Sequence, residues 1–281
     1  MTLRQALLRV GGGILFLSAL YAIQRPFRTY PSMEAYDNIP LPDDAFEKTE
    51  WVFGRLMYPQ HPQALFGGSR RFAGALDWRE GRTSWTQDYP RADRHFSAAL
   101  RRLTRVHARS AEQPVNLDDG DDVFHWPWLY AVQVGEWQLT AAQVAKLREY
   151  LLRGGFFMCD DFWGADQWEM FQQSMQRVFP DRAMVDLPGD DPIFHTIFDL
   201  NDRYQVPGAR SIGSGQTAKC YGCEAAWRGI YDDTGRLMVA ATFDSDLGDS
   251  WEFADDPRYP EKYSALGLRI GVNYVVYAMT R

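Results

Sequence analysis

The chain has 281 residues, of which 46% are apolar and 15% aromatic, enough to bury a sizeable core and too apolar for a disordered chain. Its formal charge is -7, and residues 1–28 hold Arg4, Arg9, Arg25 and Arg28 but no acid, so the remainder is more acidic still. An acidic body repels phosphate backbones, which excludes nucleic acid as a partner.

Val10 to Ile23 is an uncharged run flanked by Arg9 and Arg25. Its length suits a signal peptide, but no small-x-small cleavage triplet follows, because Leu20 takes the outer position before Ala22. Leu3, Ala6, Leu7 and Leu8 extend the apolar helix, and Arg4 and Arg9 can snorkel to the headgroups. Residues 1–28 are therefore expected to be an uncleaved single-pass anchor in the lipid bilayer of a bacterial inner membrane, with the C-terminal domain in the periplasm. Gly11, Gly12 and Gly13 would give that helix a smooth face for integral-membrane protein subunits.

Residues 29–50 carry Pro31, Pro40 and Pro42 among polar and acidic residues and read as an extended tether. Residues 51–281 form the expected folded domain. Trp51 to Tyr58 is its first strand candidate, followed by a loop through Gly67, Gly68 and Gly81. Phe96, Leu100, Leu103 and Val106 recur at helical spacing after Pro90. Trp128 to Val134 is a continuous apolar run, as in a strand covered on both faces. Thr140 caps a helix that Gly154 and Gly155 close, and Phe156 to Cys159 is the next strand. Ala165 to Phe179 is helical and stopped by Pro180, Met184 to Leu187 is a short strand, and Ile230 to Phe243 is a hairpin around Asp233 to Gly235. Leu266, Ile270, Tyr274 and Tyr277 share one side of a closing helix over Pro260 to Met279. Strands alternating with helices predict an α/β fold with three layers and a mostly parallel sheet, whose ligands bind beyond the carboxyl ends of the strands.

The strings LREYLLRGGFFMCDDFWG, RVFPDR, DDPIFHTIFDL, GRLMVAATFDSDLGDSWEFADDPRYP and GVNYVVYAMT resemble an uncharacterised bacterial domain family over roughly Trp51 to Arg281. That resemblance implies a flavodoxin-like fold, similar to class I glutamine amidotransferases. The DDPIFH segment is similar to one in the trehalose-utilisation branch of that superfamily. The family has no settled activity, so the resemblance implies fold and not function.

An amidotransferase needs a nucleophilic Cys on a tight elbow, a His to take its proton and an acid to orient the His. Cys159 is flanked by Met158 and Asp160 rather than small residues, and no histidine follows His195. Asp160 beside the sulfur would also raise its pKa, so Cys159 reads as a buried core residue and no catalytic triad is recognisable. Cys220 and Cys223, in KCYGCE, lack the following His of a haem site and a second ligand pair for zinc, and read as a local disulfide or two thiols. No cofactor is expected and no metal site is assigned.

Two acidic runs remain, Asp118 to Asp122 and Asp244 to Pro257. The plain reading is solvated loops with helix caps, and Asp160 or Asp161 accepting backbone N–H bonds in the turn after its strand. The functional reading gathers Asp160, Asp161, Trp163, His195, Asp246, Asp249, Trp251 and Glu252 at the ligand end of the sheet, where acids beside indoles suit a sugar or a calcium ion. Together these features favour a membrane-anchored extracytoplasmic binding or structural subunit of a larger membrane protein complex, without catalysis of its own. The alternative is a carbohydrate-binding or carbohydrate-active domain built on the acidic-aromatic cluster.

Overall fold

Among the described residues, seven strands form one sheet in the order β2-β1-β3-β4-β7-β6-β5. They are β1 (Gly54–Met57), β2 (Gln113–Asn116), β3 (Trp128–Val132), β4 (Phe156–Asp160), β5 (Val185–Asp186), β6 (Ala226–Tyr231) and β7 (Leu237–Phe243). The structure is a computed structural model that describes residues 27–36, 39–62 and 77–281. The expected anchor, with Gly11, Gly12 and Gly13, and Gly67 and Gly68 of the first loop lie outside the described residues. Among those described, no helix is long and apolar enough to cross a membrane.

The strands from β2 to β7 pair in parallel, whereas β7-β6 and β6-β5 are antiparallel. The sheet is therefore mixed, and its antiparallel edge follows from the short turn between β6 and β7: Gly235 takes φ +81° and Asp232 accepts from Thr234 N and Arg236 N.

Among the described residues, six α-helices cover both faces. They are α1 (Arg91–Leu103), α2 (Ala141–Leu152), α3 (Gly164–Val178), α4 (Ala209–Gly213), α5 (Leu247–Glu252) and α6 (Glu261–Thr280). Strand alternation sends Phe157 and Cys159 of β4 towards α2 and α3, and Phe156 and Met158 towards α1, α5 and α6. The first layer is closed by Leu147, Leu151, Phe171 and Met175, and the second by Phe96, Trp251, Ile270 and Tyr274. Thr140 and Gln143 form a reciprocal capping box that fixes the start of α2.

Three elements were not foreseen. β2 contains Pro114, tolerated because β2 is an edge strand with one neighbour. α5 lies inside the second acidic run, and α4 is too short to show a period. Residues 27–36 are extended, as the prolines imply, yet they pack on the domain instead of hanging free. The Tyr30 ring meets Trp85 edge-on at 5.2 Å, and the carbonyl of Pro31 accepts from Arg82 N at 2.9 Å.

Candidate functional site

The sheet order changes direction between β1 and β3, and the loops beyond the carboxyl ends of β3, β4 and β7 converge there. The first residue or so after each strand turns sharply. Gln133, Asp161 and Asp244 have φ of +54°, +51° and +54°, and Asp88, just before α1, has +59°. Such left-handed residues cost on the order of 1–3 kcal/mol each and persist where surrounding contacts hold them. Here they bring polar side chains together instead of carrying them into solvent.

Asp160 ends β4 on the face opposite Cys159. Its Oδ1 accepts from Tyr130 Oη at 2.5 Å, and its Oδ2 accepts from Leu247 N at 2.5 Å and Gly248 N at 2.9 Å. Asp160 thus supports backbone, as expected, but that of the first turn of α5 and not its own loop. Asp161 departs further from expectation, since side chains surround it. It accepts from Gln87 Nε2 at 2.8 Å, Gln133 Nε2 at 2.5 Å and Trp163 Nε1 at 2.6 Å, and pairs with the Lys219 ammonium. Lys219 also lies 3.0 Å from Asp246 Oδ2, and its ammonium is 5.6 Å from the centre of the Trp163 ring.

The second acidic run is largely buried as far as Glu252, and its acids are exposed only beyond it, at Asp255. Asp246 and Glu252 are 0% and 2% exposed. Asp246 caps α5, accepting from Asp249 N at 2.8 Å, and Asp249 Oδ2 accepts from Ala209 N at 2.6 Å. Glu252 accepts from Tyr36 Oη at 2.6 Å, and Glu34 accepts from Asp88 N at 3.1 Å. The extended N-terminal segment therefore straps across the acidic loops.

A cleft of about 660 Å³ opens among these groups. Glu34, Asp88, Asp249 and Glu252 line it together with Gln133, Trp163 and Lys219. Of the eight expected members, Trp163, Asp249 and Glu252 line the cleft, Asp160, Asp161 and Asp246 are fully buried and do not reach it, and the other two are elsewhere. Trp251 is fully buried in an aromatic cluster, its ring 4.7 Å from that of Phe96, because α5 turns that face to the core. His195 does not line the cleft: its Nδ1 meets Asp199 and its Nε2 meets the carbonyl of Gly189, each at 3.0 Å. Cys159 lies within the core, where burial and then Asp160 push its thiol well above the usual range. Cys220 and Cys223 are disulfide-bonded, and Cys220 borders the cleft.

Burial dominates the electrostatics. It raises the carboxyls of Glu34, Asp88, Asp161 and Asp249 above the ordinary range, and neighbouring acids add to the rise in Asp88, Asp161 and Asp249. Burial alone would lower Lys219, but Asp161 and Asp246 hold it well above its usual value. Asp160, raised by burial and then by Asp246, and Glu252, raised by burial against the opposing Tyr36 bond, reach about 7.

The sequence profile of a domain of unknown function, DUF4159, matches residues 76–279. The chain belongs to that family. No curated protein matches it. The DUF4159 match takes in Asp88, Asp160, Asp161, Lys219, Asp246, Asp249 and Glu252 but not Glu34 or Tyr36, so the strap is an addition to the DUF4159 stretch. β1 also precedes it.

Sequence reasoning missed Asp88, Glu34, Tyr36, Gln87 and Lys219. Gln133 could have been found, since it directly follows the apolar run of β3 at the expected ligand end. Asp88 has no comparable signal, because only the packing of α1 against α5 brings it beside Gly248 and Asp249.

The raised carboxyls predict an unusual pH dependence. Asp93, in α1, is raised by burial against the opposing Arg55 to about 6, and Asp160 and Glu252 to about 7. Each is a folded-state pKa above the unfolded one, so its contribution is fully present below about pH 4 and is lost as pH rises through the folded value. Asp232 and Asp256, held at about 2, act in the opposite sense and only at lower pH. The melting temperature should therefore rise on acidification from about pH 8 to about pH 5. A fall across that interval would show that these carboxyls are ionised at no cost in the folded chain.

Proposed function

We propose that this chain is a membrane-tethered, extracytoplasmic binding subunit whose acidic cleft takes up a saccharide or similar polyhydroxyl ligand, without catalysis of its own. The observation that carries this reading is the convergence of Glu34, Asp88, Asp249 and Glu252 on one cleft, all with raised pKa values. Acceptor-rich walls of this kind are relieved by a ligand bringing several hydrogen-bond donors, and vicinal hydroxyls do so without adding charge. Gln87, Gln133 and Gln167 add amides, and Trp163 adds a ring to the lining. The β2-β1-β3-β4 order supports a flavodoxin-like reading of the fold, the architecture shared by class I amidotransferases. The buried position of Cys159 favours binding over amidotransferase chemistry.

The test is calorimetric titration of the full chain, in mild detergent, with a panel of neutral oligosaccharides. Binding by the wild type that weakens at least roughly tenfold in Glu252→Gln supports the reading. A panel without any saturable binder would refute it.

A second reading, docking to integral-membrane protein subunits, is favoured by the apolar run from Val10 to Ile23 and by Phe46 and Tyr221, which are 75% and 107% exposed. Stoichiometric co-purification of membrane subunits in mild detergent would support it, and isolation as a lone chain would count against it.

A further inference from the structure

Asp88 precedes α1, whereas Asp246 and Asp249 belong to the start of α5, more than half the chain away. The fold nevertheless sets one carboxylate oxygen of each within 4.8 Å of the other two. Asp88 is 1% exposed and Asp246 0%. Like charges this close and this dry repel strongly unless something neutralises them.

Internal partners account for part of the charge. Asp246 Oδ1 accepts from Asp249 N, and Asp246 Oδ2 faces the Lys219 ammonium. Asp249 Oδ2 accepts from Ala209 N. Asp88 Oδ2 differs, because it is buried and has no hydrogen-bond donor. A buried acceptor without a donor is uncommon and costly, and calls for a missing partner. The backbone around it is cut to fit. A Cβ on Gly248 would stand 2.3 Å from Asp88 Oδ2, and one on Gly208 would stand 2.7 Å from Asp246 Oδ2 and 3.0 Å from Asp249 Oδ2. Only glycine lets these two loops approach the three carboxylates so closely.

We propose that Asp88, Asp246 and Asp249 together hold a divalent cation at the floor of the cleft. The donors are all carboxylate oxygens, and neither histidine nor free thiol lines the cleft among the described residues, which selects a hard cation such as Ca²⁺, Mg²⁺ or Mn²⁺ over Zn²⁺. Lys219 pairs with Asp161 and Asp246 and also acts on Asp249, so one ammonium is shared among several carboxylates and the cluster keeps negative charge for the ion. The inference rests on reading the cleft as a binding site, and it adds that the ion can present open coordination positions to ligand hydroxyls.

The experiment titrates CaCl₂, MgCl₂ and MnCl₂ separately into chelator-treated full-length chain by calorimetry, with no saccharide present, and follows the melting temperature in parallel. One saturable site is expected with at least one of the three ions, with a rise in melting temperature on loading. Asp88→Asn should weaken that ion by roughly tenfold or more, while raising the melting temperature of the ion-free chain because one of three mutually repelling charges is gone. These opposite signs separate a ligand from a merely structural aspartate. If Asp88→Asn does not fold, Asp249→Asn is read in the same way. Absence of binding up to about 10 mM of all three ions, or unchanged affinity in the folded variant, overturns the proposal. An ion site without saccharide binding would refute the saccharide reading alone, and saccharide binding without an ion site would refute this one alone.

Discussion

Asp93→Ala should lower the unfolding free energy by about 3–5 kcal/mol, a large part of the stability of an ordinary domain. Arg55 lies on β1 and Asp93 in the first turn of α1, and both side chains are fully buried. The guanidinium meets the carboxylate through two nitrogens, with Arg55 Nε donating to Asp93 Oδ2 at 3.1 Å. It also stands 4.7 Å from the centre of the Tyr130 ring. Removing Asp93 strands a charge that cannot lose its proton and cannot reach water. The pair as a whole stabilises far less than this figure, because both charges are desolvated when the chain folds. The double variant Arg55→Met, Asp93→Leu should therefore recover most of the loss. Urea denaturation of the single and double variants measures both. A single-variant loss below about 1 kcal/mol would show that water reaches Arg55.

Asp160→Ala should cost about 3 kcal/mol or more, and its effect should spread to the cleft. Three donors lose their acceptor at once: Tyr130 Oη, Leu247 N and Gly248 N. Both amides open α5, which carries Asp249 and Glu252. Loosening that turn would move two cleft walls together. Relief of the repulsion between Asp160 and Asp246 offsets a fraction of the cost. Asp160→Asn should retain part of the stability, because its amide oxygen can still accept while its NH₂ faces a donor. Hydrogen exchange reads the local effect, and the amides of residues 247–252 should lose protection in Asp160→Ala ahead of the rest of the sheet. Equal loss across β3 and β4 would mean that Asp160 serves the sheet and not α5.

How far the site could be read in advance varies from residue to residue. Asp160 and Asp161 were legible because a glycine pair, an apolar run and a polar turn mark the end of a buried strand. The acids of α5 were visible as a group, but their burial was not. Charge runs of that composition are ordinarily solvated, and nothing local announces that the strap and α1 will cover this one. Trp251 misled for the same reason: an indole beside acids looks like a ligand platform until the helix phase turns it to the core.

By itself, then, the sequence determined the α/β class, most strand and helix positions and the caps, because these depend on periodicity and on residues within a few positions of one another. It also determined that Cys159 is a core residue, through its neighbours and the lack of a later histidine. Only the tertiary structure decided that the sheet is mixed, that Tyr36 and Glu34 close over Glu252 and Asp88, and that Asp88 meets Asp246 and Asp249. Those contacts join segments separated by as many as 216 residues. They are set by packing around a shared core, and no local pattern of side chains encodes which distant partner will arrive.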